Sequence, residues 1–340
     1  MPKVITFGEI MMRLNPEGYL RVVQAQKFEA SYAGAEANVA VSLANFGIES
    51  AYVSKIPAHE VGQSAVNAIR QFGVDTSYVV RGGDRLGIYF VEKGASQRAS
   101  TVIYDRAGSA IALACRSEFD WKEIFEGSDW FHFTGITPAL GGELPDICLD
   151  ALKAAKDMGI KVSCDLNHRK KMWSSEKAGQ VMSTLMPYVD LCIANEEDAA
   201  DVFGIHAGNT DISAGALSHD AYISVAEKLK ERFGFEKVAI TLRSSISAND
   251  NKWAGMLYDG QDVWFSQEYD VHIVDRVGSG DSFGGALIYS LLNNYEPQKA
   301  IDFAVAASCL KHSMEHDFNL VSVAEVASLA AGNASGRVQR

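Results

Sequence analysis

The sequence predicts an α/β protein with a mostly parallel central sheet, helices on both faces and a small inserted β-sheet. Short β-branched runs alternate with segments of helical periodicity along most of the 340 residues, as in successive βα units. Two stretches, 19–32 and 87–104, instead alternate polar and apolar residues with no helix between strands. We expect these two stretches to form antiparallel hairpins that cover a site as a lid, although a dimer-forming flap is an equal alternative.

Each element of the core is predicted from its own periodicity, in chain order. Runs rich in Val, Ile, Phe and Tyr predict strands, and apolar residues spaced three and four apart predict helices. The predicted strands are 4–7, 51–54, 130–133, 161–165, 191–194 and 238–242. The predicted helices are 35–46, 62–72, 144–158, 178–186 and 221–233.

Composition limits the possible partners and location. With 31 Lys and Arg against 43 Asp and Glu, the net charge is −12, and no basic block suggests binding to nucleic acid or an anionic membrane. No window approaches 18 consecutive apolar residues, and the N-terminus begins at once as a strand rather than a signal peptide. We therefore expect a cytoplasmic protein. We expect one domain over 1–330, with lid strands inserted at about 13–33 and 86–115, and a tail over 331–340.

The most informative segment is DRVGSGDSFGGA, residues 275–286. A β-rich run, 263–274, leads in and an apolar helical run leads out, which predicts a strand, a glycine turn and a helix. Gly278 and Gly280 allow a ligand to approach the backbone, and the free N–H groups of the helix start favour phosphate. The Asp281 carboxylate would repel that anion, so its presence at this position indicates another role. The natural role is to accept a proton.

Two other interpretations of this segment were weighed. The dinucleotide-binding fingerprint does not fit, because the spacing from Gly278 to Gly284 is one residue too long and no βαβ unit follows. A structural turn, with Asp281 capping the helix, is a genuine competitor. The twelve residues alone do not decide between a phosphate site and such a turn.

Polar residues also follow other predicted strands, at the sheet edge where open α/β proteins bind ligands. The segment DLNHR follows one strand at 165–169, NEED follows the next at 195–198, and TLRSS closes another at 241–245. The sequence therefore predicts one site at the carboxyl ends of the strands.

Three of these motifs, taken in order, resemble the signatures of the ribokinase-like (PfkB) sugar kinases. Residues 275–281 resemble the family pattern D-T-x-G-A-G-D, GAEAN at 34–38 resembles its Gly-rich segment with a later Asn, and 195–198 resembles N-x-x-E. The resemblance covers essentially the whole chain. It implies a ribokinase-like three-layer α/β/α core, and ATP and Mg²⁺ as cofactors.

Further segments resemble the subgroup that phosphorylates the 6-hydroxyl of 2-keto-3-deoxy-D-gluconate: GEIMMRL at 8–14, GIYF at 87–90, YDRAGSA at 104–110 and DLNHR. A sugar acid carries a carboxylate, for which Arg is a planar bidentate partner. The substrate residues implied are Gly34, Asn38, Tyr89, Tyr104, Arg106, Arg169 and Asp317. Without the resemblance, the arginines would be interpreted as salt-bridge partners and the tyrosines as lid packing.

The resemblance also implies a mechanism, in which Asp281 takes the proton of the attacking hydroxyl. Backbone N–H groups of Gly278, Ser279 and Gly280 would stabilise the phosphoryl charge. The nucleotide residues implied are Asn195, Thr241, Arg243, Gly278 and Gly280, and Asn195 and Asp198 would hold Mg²⁺ through water.

The sequence departs from the family pattern at four places and leaves two other functions open. Ser279 replaces the usual Ala, Arg276 replaces the usual Thr, Asp198 replaces Glu, and the nucleotide loop lacks its glycine and is predicted as 243–251. A kinase of a neutral ketose such as fructose, or a catalytically idle sugar-acid sensor, is an alternative. The sequence does not distinguish the gluconate from the galactonate epimer. A homo-oligomer through the lid is expected from the resemblance.

Overall fold

The computed structural model describes residues 1–206 and 219–333. Its strands are β1 Lys3–Phe7, β2 Met11–Pro16, β3 Phe28–Ala33, β4 Glu49–Ile56, β5 Val79–Arg81, β6 Gly87–Glu92, β7 Thr101–Asp105, β8 Trp130–Thr134, β9 Lys161–Asp165, β10 Leu191–Ala194, β11 Lys237–Ser245, β12 Asp250–Tyr258, β13 Val263–Phe265 and β14 Tyr269–His272. Its helices are α1 Ala35–Asn45, α2 Glu60–Arg70, α3 Trp121–Ile124, α4 Ile136–Ala139, α5 Leu144–Asp157, α6 Ser175–Leu185, α7 Glu196–Phe203, α8 His219–Phe233, α9 Ser279–Leu292, α10 Pro297–Lys311 and α11 Val323–Ala330.

The central sheet has ten strands in the order β13-β12-β11-β10-β9-β8-β1-β4-β5, with β14 also paired to β12. The seven strands from β11 to β5 are parallel, so their carboxyl ends share one edge. The strands β12, β13 and β14 pair antiparallel at the other end. The predicted fold class, a mostly parallel sheet with a separate small sheet, is confirmed.

Side-chain alternation along the strands builds a core on each face of the sheet. On β1, Ile5 and Phe7 join the core packed by α5, α6 and α8, whereas Val4 joins the core packed by α1, α9, α10 and α11. Parallel strands covered on both faces read as continuous apolar runs, which is why 4–7 was recognisable as a strand. The three layers follow from that pattern.

The small sheet has the order β3-β2-β6-β7. Its two antiparallel pairs are joined by a parallel β2–β6 pairing. The register aligns Arg13, Tyr89 and Tyr104 across three strands on one face. That face turns toward the core, since its Met11, Ala33, Tyr89 and Val91 are buried.

The lid boundaries differ from the prediction. The strand expected over 19–32 is confined to Phe28–Ala33, and its partner is Met11–Pro16. Pro16 cannot donate a ladder hydrogen bond and Gly18 has a φ of 54°, so the chain turns there. The second insert also leaves extended structure after Asp105, since 111–113 form a short 3₁₀ helix.

Two further predictions were wrong in detail. The loop expected over 243–251 is reduced to 246–249, because β11 and β12 form a long hairpin that pairs Arg243 with Trp253. The β-rich run 263–274 is two short strands rather than one. The helices α7, α10 and α11 were not predicted. Within the predicted tail, residues 334–340 lie outside the described residues.

No helix within 1–206 or 219–333 combines the length and apolar character that crossing a membrane requires.

Candidate active site

All fifteen predicted site residues line one cavity of about 420 Å³, between the lid and the carboxyl edge of the central sheet. They arrive from the lid, from α1, from the ends of β9, β10 and β11, and from the start of α9. The sequence prediction of a single site at this edge therefore agrees with their placement, although their individual roles stay predictions.

The glycine turn is built by contacts that exclude a side chain at Gly278. This residue caps α9 with a φ of 85°, and a Cβ atom there would lie 2.0 Å from the carbonyl oxygen of Asp317. At Gly280, by contrast, a Cβ would meet no protein atom within 4 Å. Its bare Cα therefore faces open cavity, where a side chain would occupy the space above the helix start.

The N–H groups of the turn are not equally available. The N–H of Ser279 donates to the Arg276 carbonyl at 3.3 Å, and its hydroxyl donates to the same carbonyl at 2.9 Å. Gly280 and Asp281 belong to the first turn of α9, whose N–H groups have no intrahelical acceptor. Of the two predicted anion-binding residues that follow Gly278, Gly280 therefore has the more available N–H group.

Asp281 lies in that first turn and accepts a 2.6 Å hydrogen bond from Asn38 Nδ2. Part of its surface faces the cavity, but the dense protein around it raises its pKa to about 7 by burial. The Asn38 hydrogen bond opposes this shift, and the charge of Asp317 adds to it. A carboxyl group that titrates near neutrality is suited to accept a proton in catalysis.

Arg169 lines the cavity and contacts the backbone rather than a carboxylate. Its Nη1 donates at 3.4 Å to the carbonyl of His168, and no carboxylate among the described side chains forms an ion pair with it. Its charge lowers the pKa of Asp165 and Asp198, yet burial keeps both raised, that of Asp198 to about 7. Asp165, which the sequence prediction left out of the site, also lines the cavity.

Arg106, the other predicted carboxylate partner, is already paired. Its Nε donates to Glu9 Oε2 at 2.7 Å and a second nitrogen bridges the same carboxylate. The guanidinium also stacks 5.4 Å from the Tyr104 ring centre. Glu9 was not predicted as a site residue, and it gives Arg106 the lid-anchoring role that the sequence left as an alternative.

The remaining lid residues form a buried polar network. Tyr89 stacks on Tyr104 with ring centres 5.9 Å apart and donates its hydroxyl to Asp317 Oδ2 at 2.8 Å. The other oxygen of Asp317 pairs with Arg13, which also pairs with Asp275. Arg13 was not predicted as a site residue, because no strand was predicted over Met11–Pro16 and its position on the inner face was therefore not visible in the sequence.

Gly34 and Asn38 lie at the start of α1. A Cβ at Gly34 would be 1.9 Å from the Glu9 carbonyl oxygen, so close packing requires glycine there. The Asn38 amide faces both ways, since its Oδ1 accepts from the Gly34 N–H at 3.4 Å and its Nδ2 reaches Asp281. The motif thus positions the carboxylate at the cavity base.

Asn195 and Asp198 form a compact pair at the start of α7. Asn195 Oδ1 accepts from the Asp198 N–H at 2.7 Å, and its Nδ2 donates to Asp198 Oδ2 at 2.9 Å. The other oxygen of Asp198 accepts from the His168 N–H at 3.1 Å. Two neighbouring buried carboxylates, Asp198 and Asp165, are a donor set that fits a hydrated divalent cation.

Another end of the cavity collects Thr241, Arg243 and Arg276 around the glycine turn. Asn251 and Trp253 line it too, and each has a buried polar atom, Oδ1 and Nε1, without a partner in the described structure. Arg276, Asn251 and Trp253 were not predicted as site residues.

This arrangement places a buried carboxyl group, a helix start with free N–H groups and arginines without an ion pair among the described side chains around one cavity. A hydroxyl beside Asp281 would face an anion held at the glycine turn, which is the geometry of phosphoryl transfer.

Comparison with known proteins agrees with that chemistry. The model of the pfkB family of carbohydrate kinases matches residues 1–315, and the chain belongs to this family of sugar kinases. The crystal structure of 2-dehydro-3-deoxygluconokinase from Thermotoga maritima is 50% identical, with a TM-score of 0.94 over 97% of this chain and 98% of that one.

Two other comparisons bear on the substrate and the fold. A 2-dehydro-3-deoxygalactonokinase of Haloferax volcanii is 31% identical over 335 residues, 98% of each chain. An uncharacterized sugar kinase from Pyrococcus horikoshii, crystallised in complex with ATP, shares the fold with a TM-score of 0.74 at 21% identity, over 93% of this chain and 94% of that one.

Proposed function

We propose that this protein is an ATP-dependent kinase of 2-keto-3-deoxy-D-gluconate that phosphorylates the 6-hydroxyl. The observation that carries the proposal is the position of Asp281, at a glycine turn in the cavity that also holds the unpaired Arg169. Asp281 would accept a proton from a substrate hydroxyl, and Arg169 would bind the carboxylate at the other end of a sugar acid. The similarity to the 2-dehydro-3-deoxygluconokinase of T. maritima supports the gluconate epimer.

In this mechanism Asp281 accepts the proton of the 6-hydroxyl as its oxygen attacks the γ-phosphorus of ATP. The bond to the β,γ-bridging oxygen breaks, and ADP leaves with the electron pair of that bond. The N–H groups of Gly278 and Gly280 stabilise the charge on the transferring phosphoryl group. Tyr89 and Tyr104 close the sugar end of the cavity, which keeps water from the phosphoryl group.

Asn195 and Asp198 would hold Mg²⁺ through water, with the buried carboxylate of Asp165 beside them. The metal would neutralise the negative charge of the triphosphate. Because Asp198 has a raised pKa of about 7, its capacity to hold a cation should fall as the pH drops below neutrality.

The test of this function is ADP release on 2-keto-3-deoxygluconate, its galactonate epimer, gluconate, fructose and ribose. We expect the keto-deoxy acids to be preferred and Asp281→Asn to lower kcat by about 10²- to 10⁴-fold. Preference for the galactonate epimer would favour the activity named for the H. volcanii relative. Preference for fructose or ribose would overturn the sugar-acid assignment, and no turnover would favour a sensor.

Arg169 is tested on the same panel. Arg169→Gln should lower kcat/KM for the keto-deoxy acid by about 10- to 100-fold, since a hydrogen bond to a charged group is lost. Lys170→Gln is the matched control, because Lys170 is exposed and pairs with Asp201 instead. Equal effects of the two variants would argue against a carboxylate contact at Arg169.

We also propose that the protein is cytoplasmic and dimerises through the outer face of the lid, the sheet face opposite Arg13. The register places apolar side chains side by side on that face; they are Met12, Leu14, Phe28, Ile88, Phe90 and Ile103. Phe28 is 37% exposed and Ile103 48% exposed. A contiguous apolar surface on a soluble protein is typical of an interface.

A further inference from the structure

Arg276 lies beside the glycine turn and forms no ion pair with a described side chain. It lies two residues before Gly278 and lines the cavity beside the glycine turn. Its Nη2 donates to the carbonyl of Ala248 at 3.1 Å, which ties the turn to the 246–249 loop. Its Nε, however, is buried and finds no acceptor among the described residues. A buried donor on a charged group is costly unless it is paired.

A second arginine faces the same space. Arg243, at the end of β11, lines the cavity with Arg276, and the positive charge of Arg243 lowers the pKa of Arg276 after the larger effect of burial. No carboxylate among the described side chains pairs with Arg243. The neighbouring Asp275 is held by Arg13. The charge of Asp275 also acts on Arg276, but neither arginine forms an ion pair with a described side chain. Two cations that repel one another favour an anion as their common partner.

We propose that Arg276 is a nucleotide-binding residue that clasps the phosphate chain of the nucleoside triphosphate together with Arg243. The assignment rests on the proposed kinase function and deepens it, since it names how this chain binds its phosphate donor. The planar guanidinium of Arg276 would use Nε and the second N–H of Nη2, which lie on the same edge, as a fork on phosphate oxygens. The Ala248 bond would hold that fork in position before the nucleotide arrives.

Calorimetric titration of ADP into the full-length protein, with Mg²⁺ and without any sugar, tests this assignment. Arg276→Gln should weaken the Kd for ADP by about tenfold or more. Arg276→Lys should recover part of the affinity, because the charge remains although the fork is lost. Arg232→Gln is the matched control, since Arg232 also donates to a backbone carbonyl, that of Phe203, outside the cavity.

The outcomes separate this proposal from the proposed sugar substrate. Unchanged ADP affinity in Arg276→Gln would overturn the assignment, and so would a Lys variant as weak as the Gln variant, because the effect would then come from the Ala248 contact alone. A wild-type protein that binds no ADP would overturn both the nucleotide site and the kinase function. ADP binding could be weakened in Arg276→Gln and not in the control, while the wild-type protein phosphorylates neither keto-deoxy acid. This result would support the role of Arg276 in nucleotide binding and overturn only the proposed sugar substrate.

The two arginines should also act as a unit. Arg243→Gln and Arg276→Gln, if both bind the same phosphates, should combine non-additively in the double variant. Strictly additive losses of ADP affinity would contradict a shared clasp.

Discussion

At the scale of the residue, the chemistry depends on how the pKa of Asp281 is set. Burial raises it to about 7, and the hydrogen bond from Asn38 restrains the rise. The two effects together keep the carboxyl group in the range where it can both lose and accept a proton near neutrality.

Removing the Asn38 amide should therefore move the pH profile. Asn38→Ala removes a hydrogen bond that favours the carboxylate, so the pKa of Asp281 should rise by about one unit. Because the base must be ionised, the acid limb of kcat/KM should shift to higher pH. The control is Asn45→Ala, on the same helix, whose Nδ2 contacts the Val321 carbonyl away from the cavity. If the acid limb does not move, Asn38 does not set the pKa of the catalytic base.

The same raised pKa carries a cost in stability. An acid whose folded pKa lies above its ordinary value destabilises the fold as the pH rises through that interval. The Asp281→Asn variant has no carboxyl group to ionise and so escapes this destabilisation. The Tm of the variant minus the Tm of wild type should therefore be larger at pH 8 than at pH 5, by about 2 °C or more. Thermal unfolding at both pH values measures the difference. If the Tm difference is the same at both pH values, ionisation of Asp281 does not destabilise the fold.

At the scale of the element, Arg13 joins the lid to the glycine turn. It is fully buried in β2 and pairs with Asp275, before the turn, and with Asp317, whose carbonyl packs on Gly278. The two carboxylates outweigh the effect of burial and raise the pKa of Arg13 above its ordinary value. The turn therefore depends on a lid residue for its shape.

Breaking the link between Arg13 and its two carboxylates should destabilise the protein. Arg13→Met leaves two buried carboxylates without their counter-ion and should lower the free energy of unfolding by about 3–5 kcal/mol. Arg98→Met is the matched lid control, since its ion pair with Glu92 is partly exposed and should cost no more than about 1 kcal/mol. Urea unfolding compares the two. Adding Asp317→Asn to Arg13→Met should restore part of the loss, and similar midpoints for Arg13→Met and Arg98→Met would contradict the structural role.

At the scale of the whole molecule, the proposed dimer interface on the outer face of the lid can be tested with one substitution. Ile103→Lys places a charge among apolar side chains and should convert a dimer to a monomer, as measured by light scattering after gel filtration. Val23→Lys is the control, because Val23 is 89% exposed and lies in a 3₁₀ turn outside the four strands. A wild-type monomer, or a dimer that survives Ile103→Lys, would rule out this interface.

The one-domain assignment over 1–330 also belongs to this scale and stays a prediction. The Arg13 network joins the small sheet to the end of the core, so we expect lid and core to unfold together in calorimetry.

The sequence alone determined the order of most core elements and predicted one site at the carboxyl edge of the sheet. Apolar runs of period 2 and 3.6 marked the buried strands and helices, and the glycine turn with Asp281 marked the chemistry. Because carboxyl ends of parallel strands share one edge, polar residues after β9, β10 and β11 could be placed together before any coordinates.

Only the tertiary structure decided which charges are free. Arg106 and Arg169 were equivalent in the sequence, yet Arg106 is paired with Glu9, 97 residues away, and Arg169 is not paired. Arg13 meets Asp317 across 304 residues, and Arg276 differs from a routine turn residue only because its Nε is buried without an acceptor. Such pairings depend on distances that folding creates between distant segments, and local periodicity carries no information about them.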